Sequence, residues 1–373
     1  METIDDALFL PHSQLQSFID LLWRKSYEVI GPHVSQNTIE YLPLHQVDEL
    51  PFAYRDKQEP GRYHLVKTSH ERYFAWANGA QALKPMTFKA SQTLWQAHKN
   101  ANQELEFSTP SSPLLNTAVI GVRACDLAAL AIQDQHFLQG DYVDPFYQSQ
   151  RQHLFLVAVN CSHPASTCFC ASTGDGPHVE KNADIVLTEL DDGFVVEITS
   201  QTAKDIMSEL LLEPAQAQHW QQKSQQLQQA CQAQTRSISK KAHVQISNKN
   251  KSQVWETLGR QCLACGNCTA VCPTCFCHQQ QTEADLSNTL ISQLRLWDSC
   301  FNADHSYFHG TVVRAETKFR YRQWLTHKFS TWVEQFARSG CVGCGRCISW
   351  CPVGIDVTAV IADLIKEACD ESL

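Results

Sequence analysis

The sequence predicts an α/β domain over residues 1–215 whose loops carry cysteines, followed by a mostly α-helical, cysteine-rich domain over residues 250–373. Three observations carry that expectation. Short β-prone apolar runs in the first half lead into polar loops that contain cysteine. A glutamine-rich stretch follows that is too polar to form a core. Beyond it, one short cysteine pattern occurs twice.

Taken in order, Ser13 to Ile30 (SQLQSFIDLLWRKSYEVI) places Leu15, Phe18, Ile19, Leu22 and Trp23 at helical spacing. Ser13 stands as its N-cap and Gly31-Pro32 as its stop. Ala118 to Val122 and Leu154 to Val159 read as strands, and the first continues into a helix-like stretch, Asp126 to Phe137. Asp184 to Leu187 and Phe194 to Ile198 flank Asp191-Asp192-Gly193, the signature of a hairpin. Residues 216–249 read as a glutamine-rich helical linker between the domains. In the second domain Trp324, Leu325, Phe329 and Trp332 give residues 322–336 a helical period.

Composition narrows the function classes. With 373 residues, 43% hydrophobic and 18% charged, the chain has material for two or three packed cores. Seventeen cysteines in so long a chain, an odd number, do not suit the disulfide scaffold of a small secreted domain. The start METIDDALFLPHSQ carries no basic segment followed by a long apolar one, so reduced thiols and a cytoplasmic location are expected. No apolar run approaches the roughly 20 residues that a membrane helix needs. A net charge of −9 argues against a general nucleic-acid surface. Arg314, Lys318, Arg320 and Arg322 form a local basic stretch, opposed only by Glu316, that is either a solvated helix face, a dock for an acidic partner or an offset for nearby negative charge.

The repeated pattern is CLACGNCTAVCP (262–273) and CVGCGRCISWCP (341–352), each C-x2-C-x2-C-x3-C-P. In this spacing the first three cysteines hold one [4Fe-4S] cluster and the fourth reaches the other cluster. Cys262, Cys265, Cys268 and Cys351 are therefore expected around cluster 1, and Cys272, Cys341, Cys344 and Cys347 around cluster 2, in a dicluster ferredoxin domain. Gly266 and Gly345 permit close backbone approach, and the following prolines hold the turn open. Structural zinc is the plain alternative, but zinc sites pair separated C-x-x-C knuckles.

Four more cysteines, Cys125, Cys161, Cys168 and Cys170, fall after predicted strands in GVRACD and NCSHPASTCFCASTGDGP. They are candidate ligands of a third cluster; a redox-active thiol at Cys168 or Cys170 is the alternative. Cys275, Cys277 and Cys300 form a further set that lacks a fourth ligand. Cys231 and Cys369, isolated on predicted helices, read as structural.

GVRACD, CFCASTGDGP, CLACGNCTAVCPTCFC, WDSC, RYRQWLTHKF and CVGCGRCISWCPVGID together resemble one family over about residues 118–365: the iron-sulfur beta subunit of cytosolic sulfhydrogenases, also seen as the iron-sulfur component of anaerobic sulfite reductase. The resemblance implies a cytoplasmic complex. In it a flavoprotein subunit oxidises NAD(P)H, and this subunit passes electrons to a metal catalytic subunit of NiFe hydrogenase or sirohaem sulfite reductase type. It also favours a further cluster in the first domain. HSYFHGTVVR departs from the family around His309 and Gly310, where a Gly-Gly pair is common.

No G-x-G-x-x-G follows a predicted strand, and no G-x-x-x-x-G-K-[ST], H-E-x-x-H or catalytic triad is visible, so no flavin or nucleotide site is expected in this chain. An electron relay without a catalytic residue of its own is the simplest reading. Its rivals are a reductase that acts on disulfide or polysulfide at the N-terminal cluster, which no Cys-Cys pair supports, and a redox sensor.

Overall fold

Four parallel strands form the middle of an eight-stranded sheet: Glu28–Ser35, Thr117–Val122, Leu154–Val159 and Ile185–Glu189. In this computed structural model, which describes residues 7–100, 102, 104–110, 115–247, 249–287 and 289–370, antiparallel strands extend that sheet on both sides. Thr38–Pro43 closes one edge; Gly193–Ile198, Leu8–Pro11 and Glu213–Pro214 continue the other. Both faces of the central strands are covered. Ala118, Ile120, Val157, Ile185 and Leu187 face one core, while Val119, Val122, Leu156, Ala158 and Val186 face a second. Burial on both faces is why these strands read as unbroken apolar runs.

The expected hairpin is present as Ile185–Glu189 and Gly193–Ile198. The helix expected to run to Ile30 ends at Arg24; Ser26 turns with positive φ, and Glu28 to Ile30 pair with Thr117 to Val119 instead. Lateral pairing of Val29 and Ile30 in a buried sheet outweighs their continuation of a helical period. Ser13 lies in a 3-10 turn ahead of that helix and caps nothing. The glutamine-rich stretch forms the helix Ala217–Gln232.

Residues 273–340, expected to be largely helical, also supply two long strands and a short hairpin. His278–Ala284 and Leu290–Trp297 join Ser91–Lys99 and Leu105–Ser108 in an antiparallel four-stranded sheet. The pairing stitches the C-terminal half to the N-terminal half. His278–Ala284 is exposed along its length, so its polar sequence carries no alternation by which a strand could be read. The helix expected at 322–336 appears as Thr317–Thr326, a π-helical turn His327–Thr331 and Trp332–Phe336. Its buried Tyr321, Trp324, Leu325 and Phe329 pack with Trp255, Leu258 and Phe301 in the core that surrounds both cysteine runs.

Candidate metal centres

Both C-terminal runs fold alike. Helix Val254–Gln261, anchored by buried Trp255 and Leu258, delivers Cys262 into a loop that reverses at Ala264 and Gly266, both at positive φ, and enters a short helix Asn267–Ala270 before Cys272. The second loop reverses at Gly343 and Gly345 and enters Arg346–Ser349 before Cys351. The turn aims amides at sulfur: Ala264 N–H donates to Cys262 Sγ at 3.4 Å, and Gly343 N–H to Cys341 Sγ at 3.4 Å. Ile355 N–H donates to Cys351 Sγ at 3.3 Å. Such donors stabilise a charged thiolate.

The cysteines ring two small cavities. Cys262, Cys265, Cys268 and Cys351 line the first, together with Phe301, Tyr321 and Trp324. Cys272, Cys341, Cys344 and Cys347 line the second, with Phe169, Lys328 and Phe329. Each run thus gives three thiols to its own cavity and its fourth to the other, and Cys347 touches both. Burial holds the Cys262 and Cys347 thiols above their ordinary range. Against the same burial, the Lys328 ammonium pulls Cys272 below it.

A third cavity lies at the carboxyl ends of the parallel strands Thr117–Val122 and Leu154–Val159, the edge where open α/β sheets place their ligands. It is lined by Cys125, Cys161, Cys168 and Cys170. The chain order scatters these residues; adjacent strand ends collect them. Burial pushes all four thiols up, Cys170 to about 12, so as thiols they are neutral. Converting them to thiolates in this site needs positive charge, which a bound metal supplies. Cys344 lines this cavity as well as the second, which sets the three cavities in a row.

Two buried guanidiniums flank the third cavity, and sequence reasoning passed over both. Arg123 donates to the carbonyls of Phe74 and Trp76 at 2.8 Å each and lies 4.4 Å over the Trp76 ring. Arg346 donates to Asp126 Oδ1 at 2.8 Å, a pair with side chains 2% and 1% exposed, and Asn78 also donates to Asp126. Both arginines stand inside motifs, GVRACD and CGRC, where the cysteines drew the eye. The glycines of the second run serve this junction too: a Cβ on Gly343 would sit 2.5 Å from Cys170 N, and one on Gly345 2.5 Å from Thr167 O. That close approach lets Phe169 N–H donate to Gly343 O at 2.8 Å.

Three of the four cations of the local basic stretch are paired within the chain. Lys318 pairs with Glu256 at 2.7 Å and Glu316 at 3.1 Å, Arg320 binds the carbonyls of Phe301, Arg314 and Ala315, and Arg322 binds that of Asn250. Cys231 is exposed on the helix Ala217–Gln232, and the side chain of Cys369 lies outside the described residues. The departure around His309 and Gly310 is the turn of a small hairpin, Tyr307–Phe308 with Thr311–Val312. Among the described residues, no three His, Cys, Asp or Glu side chains are grouped for a single metal ion, and no helix is long and apolar enough to cross a membrane.

A cleft of about 690 Å³ opens beside the third cavity, lined in part by Ala124, Ala171, Asp175, Lys181, Lys240 and Arg338. Ala124 borders both spaces.

Cysteines that converge four at a time on shielded cavities, with amides aimed at their sulfurs, define an iron-sulfur protein of dicluster ferredoxin type, and residues 261–355 match the family model for a 4Fe-4S dicluster domain. The whole chain reaches further. It is 30% identical over 256 residues to sulfhydrogenase 2 subunit beta of Pyrococcus furiosus, a match that covers 67% of this chain and 74% of that protein. The chain belongs to the family of sulfhydrogenase beta subunits.

Proposed function

We propose that this chain is the electron-transfer subunit of a multisubunit cytoplasmic oxidoreductase, placed between a flavoprotein subunit that oxidises NAD(P)H and a catalytic metal subunit of NiFe hydrogenase or sirohaem sulfite reductase type. The observation that carries this reading is the row of three cavities, each lined by at least four cysteines and joined through the shared Cys347 and Cys344. The residues fit [4Fe-4S] clusters: Cys262, Cys265, Cys268 and Cys351 in the first, Cys272, Cys341, Cys344 and Cys347 in the second, Cys125, Cys161, Cys168 and Cys170 in the third. Such clusters, when bound, accept and release one electron at a time.

The protein's own part is to hold the sites close, dry and electrostatically distinct. Trp324 lines both C-terminal cavities and keeps water from the space between them. Lys328 bears on the second cavity, and Arg123 and Arg346 on the third, where fixed positive charge favours the more negative state of whatever the thiolates hold. The first cavity has no such cation in its wall; its edge reaches the surface at Leu263, which is 63% exposed. The family likeness to a sulfhydrogenase subunit supports the assembly.

The cleft beside the third cavity favours a second reading, in which a disulfide or polysulfide is reduced there. The two separate cleanly. For the relay, replacing Cys125, Cys168 and Cys170 by serine lowers iron and acid-labile sulfide by about four each per chain and abolishes flavoprotein-driven turnover of the complex. Disulfide reduction by the isolated, chemically reduced chain would favour the second reading.

A further inference from the structure

Three shielded cysteines stand outside the twelve: Cys275, Cys277 and Cys300. Cys275 lies in the turn after Cys272-Pro273, and its N–H donates to Cys272 O at 3.3 Å. Cys277 precedes the strand His278–Ala284, where His278 pairs with Trp297. Past that pair, Asp298 N–H donates to Cys277 O at 3.0 Å, which brings the Trp297–Cys300 corner against the C-x-C segment. The Cys275 and Cys277 thiols are in hydrogen-bond contact, and Cys300 stands in the electrostatic reach of both. Thr269, next to Cys268, donates its hydroxyl to Ser299, next to Cys300, at 2.8 Å, so this trio adjoins the first cavity.

Two buried ammonium groups bear on the trio. Lys84 is 5% exposed, and its ammonium lies 3.7 Å from the centre of the Trp297 ring. Its hydrogen bonds are long ones to the carbonyls of Ala270 and Cys272, at 3.5 and 3.4 Å. Among the described residues no carboxylate pairs with it, and the thiol that bears on it most is Cys275, followed by Cys272 and then Cys277. Lys328, also buried, is bonded to Thr274 Oγ1 at 2.9 Å and lines the second cavity, whose thiolates answer its charge. Of the thiols that bear on Lys84, only Cys272 lines one of the three cavities. A buried ammonium needs an anionic neighbour, and thiolates of the trio bound to a cluster would supply one.

We propose that Cys275, Cys277 and Cys300 hold a fourth iron-sulfur cluster beside the first cavity, with Lys84 as its counter-charge. Each of the other described cysteines except exposed Cys231 lines one of the three cavities, so three thiolates serve this cluster and its remaining iron site takes a non-cysteine ligand, open to a small exogenous thiol or anion. The site is a branch off the row. It rests on the iron-sulfur reading of the chain but not on the third cluster.

The test counts iron, acid-labile sulfide and zinc on the anaerobically reconstituted full chain. Wild type is expected to hold about sixteen irons rather than about twelve, and Cys275→Ser/Cys277→Ser/Cys300→Ser to lose about four irons and four sulfides. Lys84→Met should keep the iron and shift one reduced-cluster resonance to lower midpoint potential. Iron unchanged in the triple variant, or one zinc lost in place of iron, would overturn the proposal. A wild-type count of about twelve that falls to about eight when Cys125, Cys168 and Cys170 are replaced overturns it without any trio variant having to fold, and leaves the third cluster standing. The reverse pattern, a loss confined to the trio variant, keeps this site and removes the third cluster.

Discussion

The two C-terminal cavities and the N-terminal one are built from the same thiols by different means. In each C-terminal run a glycine turn at positive φ sets three cysteines around one space within a few residues of chain. The N-terminal cavity depends on two neighbouring parallel strands ending together, on the loop that returns Cys168 and Cys170, and on Gly343 and Gly345 letting that loop close. Local geometry survives strain in the rest of the fold; a site assembled from distant segments inherits every packing error between them.

The most drastic way to probe this contrast is to remove a thiol that one run lends to the other. Cys351→Ser should release about four irons from the site of the first run and disturb that of its neighbour, while Cys161→Ser should release at most about four and leave the resonances of the C-terminal pair intact; iron and sulfide counts with EPR decide it.

A smaller effect is expected at the junction. Asp126→Ala leaves Arg346 buried beside the third cavity without its carboxylate, which should destabilise the cluster-free chain by about 3–5 kcal/mol, read as a lower Tm. An unchanged Tm would mean that the junction does not hold the N-terminal site.

The sheet below that site should add a pH dependence. Burial raises Glu189 to about 7 from its ordinary 4.5, although the amides of Tyr73 and Phe74 donate to it. Between those values the native chain keeps a proton that the unfolded chain has lost. Stability therefore falls as pH rises from about 4.5 to 7, by roughly 3 kcal/mol, and is flat beyond. Glu189→Gln should flatten the Tm profile over that window, and a slope that persists would assign it elsewhere.

The mildest break is Gly343→Ala. Its Cβ meets the Cys170 backbone at a residue already in the left-handed region, for a cost of about 2–3 kcal/mol. Iron should be lost from the third site before the second, which spectroscopic titration with a chelator would resolve.

The strands Thr117–Val122 and Leu154–Val159 and the hairpin after them were legible because burial on both faces leaves a continuous apolar signature. The strand at His278–Ala284 was not, since its stability comes from backbone pairing with Leu290–Trp297 and its side chains face water. The basic stretch around Lys318 showed charge but not its partners, which lie in the helix Val254–Gln261 and in the nearby loops.

By itself the sequence determined the two dicluster loops, because the spacing of cysteine, glycine and proline dictates a turn whatever surrounds it. It also marked Cys125, Cys161, Cys168 and Cys170 as candidates. Only the tertiary structure decided that these four line one cavity, that Cys344 and Cys347 join three cavities in a row, and that Arg123, Arg346, Lys84 and Lys328 are buried beside them. The physical reason is range. A turn is fixed by the dihedrals of a few consecutive residues, whereas the convergence of distant thiols and the burial of a charge depend on which elements pack together.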